Sequence, residues 1–100
     1  MSVIESNEKK FQNEILNGKV LVDFNATWCG PCRMLKPILD EFSEGTTIKV
    51  LGIDVDQNEN LARQYNIYSI PCLILFENGV ETKRSTGLIS LDELKNFVGE

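Results

Sequence analysis

The chain has no histidine, only three cysteines, three prolines and a single tryptophan among 100 residues. Without histidine there is no Ser-His-Asp or Cys-His nucleophilic arrangement and no imidazole ligand for a metal. Three cysteines are an odd number, too few for the disulfide framework that holds up a small secreted fold. Long apolar runs are missing too. The longest is Cys72-Leu73-Ile74-Leu75-Phe76, far short of the roughly 20 residues of a membrane span. Residues Met1 to Ser6 lack the basic start and apolar stretch of a signal peptide. Positive charge is scarce: 10 Lys and Arg stand against 15 Asp and Glu, a net charge of −5, and the only adjacent basic pairs are Lys9-Lys10 and Lys83-Arg84. A nucleic-acid binder needs a basic face, so that class drops out. The expectation is a soluble, acidic, cytoplasmic protein that engages neither nucleic acid nor membrane. Its length fits one domain over residues 1–100 with a modest core.

What the chain does contain is an alternation of helical and extended patterns, without repeats or low-complexity tracts. Phe11, Ile15 and Leu16 fall near one face of a helix over about residues 7–17, stopped by Asn17-Gly18. Val20 to Phe24 is almost continuously apolar, as in a strand buried on both faces. Met34, Leu35, Ile38, Leu39 and Phe42 recur at helical spacing from Cys29 to about Gly45. Pro31 suits that helix's first turn, whereas Pro37 lies inside and predicts a kink. Ile48 to Val55 reads as a strand, and Asp56, with Glu59 three residues on, as the cap of a short helix carrying Leu61, Ala62 and Tyr65 inward. Leu73–Phe76 and Val80–Lys83 flank Asn78-Gly79, a strong two-residue hairpin signal. Ser90 to Glu93 makes a capping box for a last helix burying Leu94, Phe97 and Val98, and a short strand at residues 2–4 completes the order. Two β-α-β units plus a hairpin predict an α/β fold: a mixed central sheet with helices on both faces.

The chemistry centres on Trp28-Cys29-Gly30-Pro31-Cys32, at the junction of the buried strand and the long helix. The first helical turn offers unpaired backbone N–H groups and the positive end of the helix dipole. A thiolate there is stabilised, so its pKa falls below the free value of about 8.5. Two intervening residues bring the second sulfur within bonding reach of the first. Cys29, nearest the helix start, is expected to be the exposed attacker, and Cys32, one turn inward, the resolving thiol. A structural zinc site needs four ligands; here the only other thiol is Cys72. The plain alternative is a pair of cysteines that merely pack at a helix start. Asp23 has two readings: a strand-end carboxylate reaching solvent, or a buried acid of raised pKa that accepts a proton from Cys32. Pro71 by itself is a proline where a strand tolerates one, trans by default.

From about residue 2 to 98 the sequence resembles the thioredoxin family. Val22 to Cys32 looks like that family's active-site segment. Pro37, Asp56-Gln57-Asn58, Ser69-Ile70-Pro71, Asn78-Gly79 and Gly87 follow in the same order. The resemblance implies a five-stranded mixed sheet flanked by four helices, and reduction of protein disulfides by dithiol–disulfide exchange through Cys29 and Cys32. It favours Asp23 as the buried acid and a cis bond before Pro71. Trp28, Gly30, Pro31, Ile70, Pro71 and Gly87 would line a shallow apolar client-docking surface, which suits varied protein substrates. No cofactor is implied beyond the Cys29–Cys32 disulfide itself. The implied partners are an NADPH-dependent thioredoxin reductase and disulfide-containing clients such as reductases and peroxiredoxins, with the chain acting as a monomer. The competing readings are a thioredoxin-fold binding module and a disulfide isomerase or oxidant. Three positions depart from the family pattern. Gly52 stands where bacterial members often carry a lysine near the acid, so Asp23 is expected to titrate higher here. Cys72 follows the proline where a threonine is common, either as a small apolar strand residue or as a modifiable thiol. Asn25 replaces a Trp or Ser, with local packing as its expected consequence.

Overall fold

Strand residues buried on both faces and amphipathic helices on either side define the architecture of the computed structural model, which describes residues 2–100. In chain order the elements are β1 (Ile4–Glu5), α1 (Glu8–Glu14), β2 (Lys19–Asn25), α2 (Gly30–Glu44), β3 (Lys49–Asp54), α3 (Glu59–Gln64), β4 (Cys72–Glu77), β5 (Val80–Thr86) and α4 (Leu91–Val98). The five strands form one sheet in the order β1-β3-β2-β4-β5. β3 runs parallel to both β1 and β2, while β4 is antiparallel to β2 and β5. The expected thioredoxin fold, a mixed five-stranded sheet with four helices, is therefore what forms.

Alternation along the strands sorts the core into two layers. Val20, Val22 and Phe24 of β2 join Ile74 and Phe76 of β4 under Phe11, Ile15 and Leu61. There Phe11, Tyr65 and Phe76 meet edge to face, with ring centroids 5.5–5.6 Å apart. On the opposite face Leu21, Leu73 and Leu75 pack against Leu35, Leu39 and Phe42 of α2 and Leu94 and Val98 of α4. Asp23, two residues beyond Leu21, projects to this second face, toward α2. Cys72 projects to the first.

Several boundaries differ from the sequence expectation. α1 ends at Glu14, three residues early, with Ile15 as its C-cap, and the chain turns through residues 15–18, where Gly18 has φ +67°. Leu16 thus lies past the helix and is 52% exposed. The first strand sits at residues 4–5 rather than 2–4, where Glu5 pairs with Gly52. Asp56 does not cap α3. The cap position is Asn58, whose side chain makes no bond to that helix's first turn. Asn58 Oδ1 instead accepts from Glu8 N at 3.0 Å, and Glu8 Oε1 accepts from Leu61 N at 3.0 Å. The two helix starts cap each other. α2 passes through Pro37 as one continuous helix, leaving the Arg33 carbonyl without its intrahelical N–H donor. The hairpin turn is as read: Asn78 and Gly79 both have positive φ, 53° and 87°, as a type I′ turn requires. The Ser90–Glu93 capping box closes in both directions at 3.1 Å. No helix among the described residues is long and apolar enough to cross a membrane.

Candidate active site

The sheet topology gathers the predicted residues at one end. β2 and β3 both finish there, at Asn25 and Asp54. Because β4 runs antiparallel to β2, its start lies beside the end of β2, with Phe24 opposite Cys72. Thr86, at the end of β5, in turn lies opposite Cys72. Segments around residues 25–32, 70–71 and 87 therefore meet, though they are distant in sequence.

Cys29 occupies the N-cap of α2, and its Sγ accepts a hydrogen bond from Cys32 N at 3.2 Å. Cys29 and Cys32 are joined by a disulfide, with Cα atoms 5.2 Å apart. The pair packs with Ala26, Val55 and Ile70. That cover corrects one expectation: Cys29 is 5% exposed and Cys32 6%, so exposure does not single out the attacker in the oxidised state. The helix N-terminus does distinguish the two sulfurs. Only Cys29 Sγ receives a backbone N–H, the contact that would stabilise a thiolate.

Around the pair, Trp28 is 67% exposed. Its indole Nε1 donates to Asp56 Oδ2 at 2.7 Å, which fixes the ring and gives Asp56 its actual partner. Gly30 and Pro31 form the first turn of α2, and a Cβ at Gly30 would meet open space. The Ile70-Pro71 bond is cis, against the bottom-up default and as the resemblance implied. Ile70 O lies 3.8 Å from Cys29 Sγ. Gly87 N donates to Pro71 O at 2.8 Å, at a positive φ of 100° that a side chain would strain. Pro71 itself is buried, so the rim beside Cys29 is formed by half-buried Ile70 rather than by the proline ring.

Beneath the disulfide a cavity of about 350 Å³ is lined by Cys32, Asp23, Asn25, Lys36, Gly52 and Glu5, among others. Asp23 is 7% exposed, and its carboxyl is pushed up to about 7. Burial is the main cause. The Asn25 hydrogen bond opposes it, the Glu5 carboxylate adds to it, and Lys36 opposes it again. Asn25 Nδ2 donates to Asp23 Oδ2 and to Asp23 O, both at 3.1 Å. Among the described residues, Asp23 Oδ1 is the one buried side-chain oxygen or nitrogen without a partner.

Sequence reading missed three contributors here: Asn25, Glu5 and Asp56. Asn25 follows from alternation along β2, two residues beyond Asp23, whereas Glu5 is legible only through register. Asp23, Gly52 and Glu5 form one row across β2, β3 and β1, and the Glu5 carboxylate sits 3.1–3.3 Å from where a Gly52 Cβ would stand. Gly52 leaves room for an anion where a lysine was the alternative. Cys72 is the free cysteine, buried against the α1 face; burial pushes its thiol upward despite a hydrogen bond from Thr86. No group of three or more His, Cys, Asp or Glu side chains is placed to hold a metal ion among the described residues.

This arrangement permits sulfur exchange: a strand-to-helix junction carrying a disulfide, an exposed Trp28 beside it, and a titratable acid beneath. A family model described as Thioredoxin matches residues 2–100. The thioredoxin of Chlamydia trachomatis is 42% identical over 94 residues, covering 93% of this chain and 92% of that protein. A solved mutant thioredoxin from Halobacterium salinarum superposes with a TM-score of 0.92 at 35% identity, covering 97% of this chain and 88% of that one. A chain from a study of the thiol-resolving mechanism of a yeast mitochondrial 1-Cys peroxiredoxin via glutathione and thioredoxin systems aligns with a TM-score of 0.88 at 27% identity, covering 97% of this chain and 93% of that one.

Proposed function

Because the chain belongs to the thioredoxin family over residues 2–100, it is a thiol–disulfide oxidoreductase that works by dithiol–disulfide exchange, and we propose that it reduces protein disulfides in the cytoplasm. The observation that carries this reading is the Cys29–Cys32 disulfide at the N-terminus of α2, with the Cys32 N–H directed at Cys29 Sγ.

In the reduced protein, Cys29 is the nucleophile. Its thiolate attacks one sulfur of a client disulfide, and the other client sulfur leaves as a thiolate. Cys32 then gives its proton to Asp23 and attacks Cys29 Sγ. The Cys29–Cys32 bond forms, the second client thiolate departs, and two electrons have passed to the client. Asp23 suits the proton-accepting role because burial brings its titration up to about 7, where a carboxyl can both take up and release a proton at neutral pH. Trp28, Gly30, Pro31, Ile70, Pro71 and Gly87 form the docking rim, with Pro71 and Gly87 acting through the backbone they hold in place. An extended client segment beside Ile70 contributes main-chain pairing and apolar contact, which tolerate many sequences. Peroxiredoxins and disulfide-forming reductases are the proposed clients, and an NADPH-dependent thioredoxin reductase the electron source.

Reduction of insulin disulfides by the purified, pre-reduced protein tests this reading. The wild type should be active. Cys29→Ser should be inert, and Cys32→Ser should stall as a mixed disulfide with the client. An inert wild type would mark the chain as a binding module. A Cys29–Cys32 reduction potential near that of oxidants, far above reducing thioredoxins, would reverse the direction of flow.

A further inference from the structure

We propose that Asn25 is a positioning residue that decides which oxygen of Asp23 takes the proton from Cys32: it occupies Oδ2 and leaves Oδ1 as the acceptor. The inference rests on the reading of Asp23 as the proton acceptor and adds the device that orients it.

The geometry carries it. Asn25 lies two residues beyond Asp23 at the end of β2, so both side chains leave the strand on the same face. A carboxamide nitrogen has two hydrogens, and both are engaged by Asp23, at its carbonyl oxygen and at Oδ2, each at 3.1 Å. Turning the amide over would set an oxygen against both acceptors, so the orientation is forced. The N–H donated to Oδ2 occupies one of its lone pairs and draws electron density from it, whereas Oδ1 is buried and unpartnered, which makes Oδ1 the more available acceptor. The proton therefore moves from Cys32 Sγ to Asp23 Oδ1, directly or through the cavity both residues line.

The same contact sets the pH at which this happens. A donor on Oδ2 favours the ionised carboxylate. The other charged or titratable groups around the acid are Glu5 on β1, Asp54 on β3, and Cys32, Arg33, Lys36 and Asp40 on α2, all lining the cavity. β4 presents apolar Leu73 directly opposite Asp23; next to it, Cys72 has a thiol held above its ordinary value and so uncharged at neutral pH. Among the groups that move the Asp23 titration, Glu5 acts against Asn25 and Lys36 with it. Gly52 contributes no side chain.

Asn25→Leu keeps the volume and removes both donors; Asn25→Ala is the second variant, should the larger side chain unsettle the strand. In oxidised protein, NMR titration of the Asp23 carboxyl carbon should show the midpoint rising by about one pH unit in either variant. In reduced protein, stopped-flow reaction with a disulfide-linked peptide should show the Cys32-dependent second step slowed about three- to fivefold at pH 7 and unaltered above about pH 9. Glu5→Gln, with Asn25 intact, should move both midpoints down. Unchanged midpoints in both Asn25 variants, with Asp23→Asn still flattening the pH profile of the second step, overturn the positioning role alone. An unaltered profile in Asp23→Asn overturns the reading of Asp23 as proton acceptor, and the inference falls with it.

Discussion

Residue by residue, the site is an account of where charge is allowed. The cysteine pair was legible from five letters, because a Cys-x-x-Cys at a strand-to-helix junction has few other uses in a chain without further metal ligands. Asp23 was legible as a conflict, an acid inside an apolar strand. Its neighbours were not, because the Glu5–Gly52–Asp23 row exists only once three strands are in register. The departure at Gly52 gives a direct check. Gly52→Lys should displace the flexible Glu5 side chain, which already lies within 3.3 Å of the new Cβ, and put a cation beside the acid. NMR titration should then place the Asp23 midpoint below the wild-type value of about 7. A wild-type midpoint in the ordinary carboxylate range would remove the premise. Cys72, the odd thiol, packs in the α1-side core at 2% exposure, whereas Cys29 regains a free thiol at the helix start on reduction. Alkylation of reduced, native protein should label Cys29 fully and Cys72 only after denaturation. An adduct on native Cys72 would give it a chemical role that burial argues against.

At the level of elements, continuous apolar runs, turn chemistry and the Ser90–Glu93 capping box carried the reading, and the cap of α3 was an error. β2 and β4 announced themselves because both of their faces are covered. Asn78-Gly79 did so because two successive positive φ values leave few residue choices. The start of α3 was misassigned to Asp56 because a local capping pattern says nothing about partners far along the chain. Asp56 turns to Trp28, and Asn58 joins α3 to the start of α1, fifty residues away. Asn58 is 6% exposed, and its amide also donates to Asp54 O at 3.0 Å. Asn58→Ala strands the Glu8 N–H and removes a donor from Asp54 O, at a cost of about 1–3 kcal/mol. Chemical denaturation should show that loss, while insulin reduction per folded molecule stays at the wild-type level. A full loss of activity in folded protein would mean that the clasp reaches the site, which the geometry does not suggest.

For the whole molecule, the layer architecture was legible and the strand order was not. Alternating β and α signals give a mixed sheet with two covered faces. Which strand lies central depends on crossovers that bring β4 antiparallel to β2 and so carry residues 70–71 and 87 to the disulfide. That convergence places a titratable acid in the core, and the fold's stability must bear its signature. In the unfolded chain Asp23 releases its proton near 3.8; in the folded protein it holds it until about 7. The folded pKa is raised, so the neutral acid favours the native state. Its stabilising effect relative to the ionised form is complete below pH 3.8 and is lost as the pH climbs from there to about 7. Asp23→Asn keeps the shape and an oxygen for Asn25 while removing the ionisation. Every other charge is common to both proteins, so the difference in their unfolding free energies isolates this one group. In urea denaturation of the oxidised forms, the variant should match the wild type to within about 1 kcal/mol at pH 4 and exceed it by up to about 4 kcal/mol at pH 8.5. An advantage that is independent of pH would show instead that Asp23 is ionised without penalty in the folded protein, and its place beneath Cys32 would then need a different explanation.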